Sequence, residues 1–229
     1  NIIEQLNFVA LSGGAGTGKT LMAIELIRRF SSDQKILFLC FNRALARHVR
    51  FSLKPLGRLP NITVANSYAW VNQLSRELGL PRSEEDMEDR IEEVITQAQA
   101  KLEKYDVIII DEGQDFDDEW FIHIESMLQE QGKFYVFYDQ QQSIFQKQSQ
   151  YFLDEKFQKL TLNENFRNTQ SIFSCFHPLA QQTNFIAQGP QGSEPEFVIV
   201  KNYELQFTWI ADKIKKLVST ENIQLRETG

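Results

Sequence analysis

The stretch that most restricts the fold of this chain is GGAGTGKT, residues 13–20. It fits the pattern G-x-x-x-x-G-K-[ST] and lies between an apolar, strand-like run and a helical pattern. Glycines let the backbone wrap closely around phosphates with its N–H groups turned inward, and the helix N-terminus favours negative charge. A glycine-rich turn that only caps a helix is disfavoured because the whole pattern and its context match. The candidate phosphate-binding residues are Gly13, Gly14, Ala15, Gly16, Thr17, Gly18, Lys19 and Thr20.

A second stretch, VIIIDEGQDF at residues 107–116, ends an apolar run in a cluster of acids. Buried unpaired carboxylates are costly, so they need water, a helix N-terminus or a cation. We expect Asp111 to hold Mg²⁺ together with the Thr20 hydroxyl, while Lys19 reaches the β- and γ-phosphates. Glu112 would orient or deprotonate an attacking water. The acids further along are expected only to favour the N-terminus of the next helix, namely Asp117, Asp118 and Glu119.

Short aliphatic runs alternate with helical patterns along the chain. The predicted strands are 8–12, 35–40, 62–65, 106–110 and 133–138, and the predicted helices are about 18–30, 43–51, 67–78, 84–103 and 118–130. Strands that are apolar on both faces and separated by helices indicate a parallel sheet covered on both sides. The expected fold class is α/β with a doubly wound sheet. Further along we predict a weaker strand at 159–162, a helix at 168–183, a strand at 197–200 and a last amphipathic helix around 207–217.

Composition excludes some classes of protein and leaves others open. The net charge of −7 gives no global electrostatic argument for nucleic-acid binding, but residues 41–60 carry five basic residues and no acid. No apolar run approaches the roughly 20 residues that a membrane helix needs. The two cysteines are Cys40, in an apolar run, and Cys175. A buried thiol rather than a disulfide framework is expected, with the cytoplasm as the default compartment.

Four stretches together carry a family resemblance. GGAGTGKT, DEGQD, VFYDQQQSIF and LNENFRNTQSI occur in this order. They resemble the Walker A, D-E-x-Q-D, G-D-x-x-Q-S-I-Y and L-x-x-N-Y-R-S-T motifs of superfamily 1 helicases of the UvrD/Rep type. With two weaker matches they cover roughly residues 8–172. Four motifs in family order are far more specific than any one of them.

The resemblance implies a P-loop NTPase (RecA-like) sheet at residues 1–150, with a small helical insertion at about 69–104, and a partial second RecA-like domain at 151–229. It also implies that Gln142 senses the γ-phosphate and that Arg167, from the second domain, neutralises charge on the transferred phosphoryl group. Phe166 takes the place of the tyrosine that stacks on adenine, although core packing is an equal alternative for a phenylalanine.

The weaker matches concern a nucleic-acid track. CFNRALARHV and TVANSYAW lie where the family has its Ia and T-F-H-S stretches, whose loops grip a single-stranded backbone. Arg43, Arg47 and Arg50 share one helical face, and Trp70 is a further candidate stacking face. A solvated basic helix and a packed Tyr/Trp pair are the alternative. The candidate nucleic-acid-binding residues are Phe41, Asn42, Arg43, Asn66, Ser67 and Tyr68.

Three departures from the family pattern bear on function. Tyr138 replaces a glycine, and the segment between Tyr68 and the strand that precedes DEGQD is shorter than in family helicases that engage duplex DNA. The sequence also ends at Gly229, inside the expected second RecA-like domain, so we expect the remaining part of that domain in the full-length protein.

The sequence thus predicts an ATP- and Mg²⁺-dependent helicase or translocase motor on nucleic acid, most simply single-stranded DNA, without a membrane partner. Three alternatives stay open to different degrees. RNA could be the track, because backbone-gripping loops do not show whether a 2′-hydroxyl is read. A non-processive ATPase switch within a nuclease or defence protein is favoured by the short insertion. A small-molecule kinase is disfavoured by the D-E-x-Q order.

Overall fold

We describe a computed structural model of the chain, covering residues 2–57, 61–80, 91, 93–94, 96–97, 104–139, 149, 151–176 and 185–220. The chain forms two compact units, residues 1–192 and residues 193–229. The domain limits expected from the sequence, 1–150 and 151–229, stay a prediction. Among the described helices, none is both long enough and apolar enough to cross a membrane.

The first unit is built on one six-stranded sheet in which every neighbouring pair of strands is parallel. The first five strands along the chain are connected through helices, which lie on both faces of the sheet. This confirms the predicted α/β, doubly wound class. The strands are β1 Phe8–Gly13, β2 Ile36–Cys40, β3 Ile62–Asn66, β4 Tyr105–Asp111, β5 Leu128–Tyr138 and β6 Gln158–Leu162. Their order across the sheet is β3-β2-β4-β5-β1-β6.

The remaining elements cover the sheet or follow it. The helices are α1 Ile2–Gln5, α2 Lys19–Arg29, α3 Arg43–Leu53, α4 Ser67–Glu77, α5 Asp118–Glu125, α6 Gln170–Phe176 and, in the second unit, α7 Tyr203–Thr220. Short 3₁₀ turns lie at Lys54–Leu56, Gly113–Asp115 and Tyr151–Leu153. A separate parallel pair is formed by β7 Glu164–Asn165 and β8 Ile186–Ala187.

The core lies on both faces of the sheet, which explains why the central strands are apolar at every position. In β4, Ile108 and Ile110 pack on the face that also holds Phe121, whereas Val107 and Ile109 pack on the opposite face. Burial on both sides excludes the polar alternation of a half-exposed strand. Cys40 is buried in β2, as expected, and burial raises the pKa of its thiol to about 12.

One of the predicted elements is too long, and another is wrong. The helix predicted at 118–130 ends at Glu125, because β5 already begins at Leu128, where it pairs with the start of β4. Residues 197–200 form no strand, and within the described part of the chain no strand pairs with them. The predicted helix at 84–103 falls largely outside the described residues, as does 177–183 of the predicted helix at 168–183.

The predicted weaker strand at 159–162 is confirmed as β6, and it extends the large sheet through β1. Tyr138, which replaces a family glycine, is also accommodated in this sheet. Its side chain is buried, and its ring centroid lies 4.5 Å from that of Phe152. The larger residue therefore fills core volume at the end of β5.

Candidate nucleotide-binding site

The candidate site lies at the carboxyl ends of three adjacent strands, β4, β5 and β1. The glycine-rich loop begins at Gly13, the last residue of β1, and runs into α2. Asp111 ends β4, Glu112 follows it, and Asp139 follows β5. Because parallel strands end at the same edge of a sheet, residues far apart in sequence are brought together there.

The glycine-rich loop depends on backbone that only glycine adopts readily. Gly16 has φ of 84°, and Gly18, at the N-cap of α2, has φ of 91°. Both values lie in the left-handed region, where a Cβ costs about 1–2 kcal/mol. Inside the loop, the Thr17 hydroxyl donates to the Gly14 carbonyl at 2.8 Å. The loop thus has a defined shape of its own.

Lys19 is buried and turned back onto the loop that precedes it. Its Nζ donates to the carbonyl oxygens of Gly13 at 2.7 Å and Gly14 at 3.3 Å, and it lies 3.7 Å from Asp139 Oδ2. A buried ammonium needs such partners because desolvation is costly. The ammonium is therefore held at the loop where phosphates of a nucleotide would arrive.

Thr20 and Asp111 meet directly, as the prediction of a shared magnesium site requires. The Thr20 hydroxyl donates to Asp111 Oδ2 at 2.6 Å, and the Asp111 side chain is fully buried. Burial raises the pKa of Asp111 to about 6; the Thr20 hydrogen bond opposes this shift and the negative charge of Glu112 adds to it. Two oxygen donors side by side, one of them a desolvated carboxylate, fit the ligand preference of Mg²⁺.

Glu112 has an unusual backbone, with φ of 55° and ψ of 48°. It is the one non-glycine residue with positive φ among the described residues. Gln114 Nε2 donates to Glu112 Oε2 at 2.7 Å, while Gln114 Oε1 accepts from the Asp139 N–H at 2.9 Å. The strained turn and the amide together fix the direction of the carboxylate. Gln114 was not among the predicted site residues, and its only sequence signal is the D-E-x-Q pattern.

A cavity of about 280 Å³ opens beside these groups. Its lining includes the predicted residues Lys19, Thr20, Glu112 and Arg167. Two residues of α3 that the sequence did not suggest, Leu45 and His48, also line it.

The remaining candidates for contact with the nucleotide have different outcomes. Phe166 is 62% exposed, so the core-packing alternative is wrong, but it does not line the cavity. Its backbone N–H donates to the Gly16 carbonyl at 3.1 Å, which brings the neighbouring Arg167 to the loop. Gln142 lies outside the described residues.

The candidate nucleic-acid residues follow β2 and β3. Phe41 is 40% exposed, and its ring centroid lies 5.4 Å from that of Tyr68 in an edge-on arrangement. Asn42 Oδ1 accepts from the backbone N–H groups of Ala44 and Leu45, so it caps α3. Arg43, the first residue of α3, is exposed.

The start of α4 holds three buried polar atoms without a partner. Asn66 Oδ1 accepts from the Ala69 N–H at 2.9 Å and caps the helix. Asn66 Nδ2, Ser67 Oγ and Trp70 Nε1 have no hydrogen-bond partner within the described part of the chain. Trp70 is only 1% exposed, so its predicted role as a stacking face is wrong: the indole packs in the core. On α3, Arg50 donates to the Val64 carbonyl and so braces β3.

The glycine-rich loop after β1 and the acid pair after β4 define a P-loop nucleoside-triphosphate-binding protein. A family model described as AAA domain matches residues 2–148, which is well over half of the chain. The chain therefore belongs to this AAA domain family.

Three solved helicase structures resemble this chain at low sequence identity. The arterivirus nonstructural protein 10 helicase, solved with DNA, is 15% identical with a TM-score of 0.50, and the match covers 86% of this chain and 44% of that one. Pif1 helicase from Candida albicans is 17% identical with a TM-score of 0.45, covering 72% and 38%. Bacteroides Pif1 bound to single-stranded DNA is 17% identical with a TM-score of 0.41, covering 75% and 42%.

The chain thus spans less than half the length of these three structures. No curated protein matched it in a sequence comparison.

Proposed function

We propose that this chain is the ATP-hydrolysing motor core of a nucleic-acid helicase or translocase that uses Mg²⁺ and moves on single-stranded DNA. The observation that carries the proposal is the direct contact of Thr20 with the buried Asp111, beside Lys19 and Glu112 at the mouth of one cavity. A metal-ligand pair, a buried cation and a separate carboxylate are the groups that phosphoryl transfer to water requires.

Each group has a distinct task in this proposal. Thr20 and Asp111 would hold Mg²⁺, and the ion would neutralise phosphate charge. Lys19 would exchange the carbonyls of Gly13 and Gly14 for phosphate oxygens. Glu112, oriented by Gln114, would accept a proton from the water that attacks the γ-phosphorus, while the bond to the bridging oxygen breaks and ADP leaves.

Other parts of the site would act around this centre. Arg167 lines the same cavity, where its fixed charge would stabilise negative charge on the transferred group. The exposed ring of Phe166 is free of core packing and would stack on adenine. Gln142 and a second RecA-like domain would complete the coupling to movement.

The proposed track runs over the carboxyl ends of β2 and β3. The donors Asn66 Nδ2, Ser67 Oγ and Trp70 Nε1 are buried without a described partner, which is costly unless a ligand or water satisfies them. Ser67 and Arg43 open helices α4 and α3, whose N-termini favour anions. Phe41, just before α3, and Tyr68, in the first turn of α4, are in ring contact and offer faces for base stacking.

The test is the steady-state rate of ATP hydrolysis by the full-length protein, with and without single-stranded DNA and with an RNA of the same sequence. We expect DNA to raise the rate several-fold and RNA to raise it less. A larger effect of RNA would reassign the track. A rate that neither polymer changes would contradict the motor proposal and favour the ATPase switch.

A further inference from the structure

Asn165, the last residue of β7, lies between the glycine-rich loop and the turn that carries Arg167. It is 2% exposed, and both ends of its amide are used. Nδ2 donates to the Ala15 carbonyl at 2.7 Å, and Oδ1 accepts from the Asn168 N–H at 3.0 Å. One side chain thus connects the phosphate loop to the residue that follows Arg167.

The next residue adds a parallel connection. The Phe166 N–H donates to the Gly16 carbonyl at 3.1 Å, so two consecutive carbonyls of the loop bind two consecutive residues of the turn. A Cβ added at Gly16 would lie 2.9 Å from Arg167 Cβ and 2.9 Å from Asn165 Oδ1. The Arg167 turn and the loop are therefore in close contact, without space for another methyl group.

The other side of the turn is also fixed. The Asn165 carbonyl accepts from the Gln188 N–H at 2.8 Å, and the Asn163 carbonyl accepts from the Ile186 N–H at 2.8 Å. Strand β8 therefore fixes β7 through backbone hydrogen bonds, while the Asn165 side chain binds the glycine-rich loop. The buried amide has little freedom to take another partner.

We propose that Asn165 is a positioning residue that sets the place of Arg167 according to the conformation of the phosphate loop. The inference rests on the proposed ATPase function. The Ala15 carbonyl belongs to the same peptide unit as the Gly16 N–H. A phosphate that accepts from this N–H polarises the peptide and strengthens the bond from Asn165, so nucleotide binding tightens the Arg167 turn. By linkage, a correctly placed Arg167 turn in turn favours the nucleotide-bound loop.

Asn165→Asp removes one of the two side-chain hydrogen bonds and keeps the other. A carboxylate still accepts from the Asn168 N–H, but it cannot donate to Ala15 and places negative charge against that carbonyl. Asn163→Asp makes the same chemical change at an exposed residue two positions earlier and serves as the control. Asn165→Ala removes both hydrogen bonds and should be the less stable variant.

The experiment measures kcat and KM for Mg-ATP hydrolysis by the full-length wild type, Asn165→Asp, Asn163→Asp, Arg167→Ala and the double variant Asn165→Asp/Arg167→Ala. We expect Asn165→Asp to lower kcat about tenfold or more with a smaller change in KM, and Asn163→Asp to match the wild type. The double variant should be no slower than Arg167→Ala alone, because the two residues act as a unit.

The outcomes distinguish a failure of the positioning role of Asn165 from a failure of the proposed ATPase function. If Asn165→Asp hydrolyses ATP as fast as the wild type, the positioning role alone is overturned. If the two single substitutions lower kcat by factors that multiply in the double variant, the positioning role is also overturned. A merely structural defect acts independently of Arg167 and would give that product. Absence of hydrolysis by the wild type would instead overturn the proposed function.

Discussion

The Thr20 hydroxyl donates a 2.6 Å hydrogen bond to Asp111, although 91 residues separate the two in sequence. Thr20 lies in the first turn of α2, and Asp111 ends β4, two strands away from β1 in the sheet. The contact is therefore made by the fold rather than by local sequence. It places two oxygen ligands together where a divalent cation would neutralise a buried carboxylate.

The buried carboxylate makes the stability of the metal-free protein depend on pH. Burial raises the pKa of Asp111 from 3.8 to about 6, so between pH 4 and pH 6 the folded protein binds more protons than the unfolded chain. The free energy of unfolding should therefore fall as pH rises through this window. Asp111→Asn should remove the fall and be more stable by on the order of 2–3 kcal/mol above pH 6.

Urea unfolding in the presence of EDTA, at several values between pH 4.5 and pH 7.5, would measure this difference. Asp212→Asn, a substitution at an exposed residue of α7, is the control and should keep the wild-type dependence. If the stability difference between Asp111→Asn and the wild type stayed constant across the range, the buried ionisation would not be the cause.

Glu112→Gln should separate nucleotide binding from hydrolysis. The amide keeps the shape of the side chain but cannot accept a proton from water, so we expect hydrolysis to fall by about a hundredfold or more while ATP stays bound. A filter-binding assay would measure ATP binding, and single-turnover kinetics would measure hydrolysis. Glu119→Gln, in the first turn of α5, is the matched control. Near-normal turnover by Glu112→Gln would remove this residue from its proposed role.

Gly16→Ala should lower hydrolysis by about tenfold or more through its clash with the Arg167 turn. Gly57→Ala is a matched control, because Gly57 also has positive φ, of 63°, with no described atom within 4 Å of the added Cβ. Both substitutions carry left-handed strain of about 1–2 kcal/mol, which should lower the free energy of unfolding. Only Gly16→Ala should also lose activity; equal hydrolysis by the two variants would argue against the close contact.

Asn66→Asp tests the nucleic-acid track at the start of α4. The new carboxylate can still cap the helix, but Asn66 is only 3% exposed, so burying its charge should lower the free energy of unfolding. It removes the unpartnered Nδ2 donor and adds negative charge near the expected phosphates, so affinity for single-stranded DNA should fall about tenfold. Asn61→Asp makes the same charge change just before the first residue of β3 and serves as the control. Fluorescence anisotropy with a labelled oligonucleotide would compare them, and equal affinities would place the track elsewhere.

The parts of the site that the sequence predicts are those with a local cause. The loop of residues 13–20 needs glycine where φ is positive, and Asp111 is the first acid after a fully apolar strand, so both are readable from neighbouring residues. The helix caps at Asn42 and Asn66 follow the ordinary preference for asparagine before a helix, although the sequence reasoning assigned both to nucleic acid alone.

The parts that escaped prediction depend on contacts between distant segments. Asn165 meets Ala15 across 150 positions, and no periodicity or motif spacing reports such a pair. Leu45 and His48 reach the cavity only because α3 packs beside α2. The sequence indicates Trp70 as a stacking face because tryptophan occurs both at surfaces and in cores. Its burial depends on how α4 packs on the sheet, which neighbouring residues do not show.

Calorimetric titration of Mg-ATP into the full-length protein, at two temperatures so that a small enthalpy is not mistaken for no binding, tests the central claim most directly. We predict one nucleotide bound per chain, and at least about a hundredfold weaker binding to Lys19→Met, in which the buried ammonium is replaced by an apolar group of similar length. Folded wild-type protein that releases no heat at either temperature, or a Lys19→Met variant that binds as well as the wild type, would contradict it.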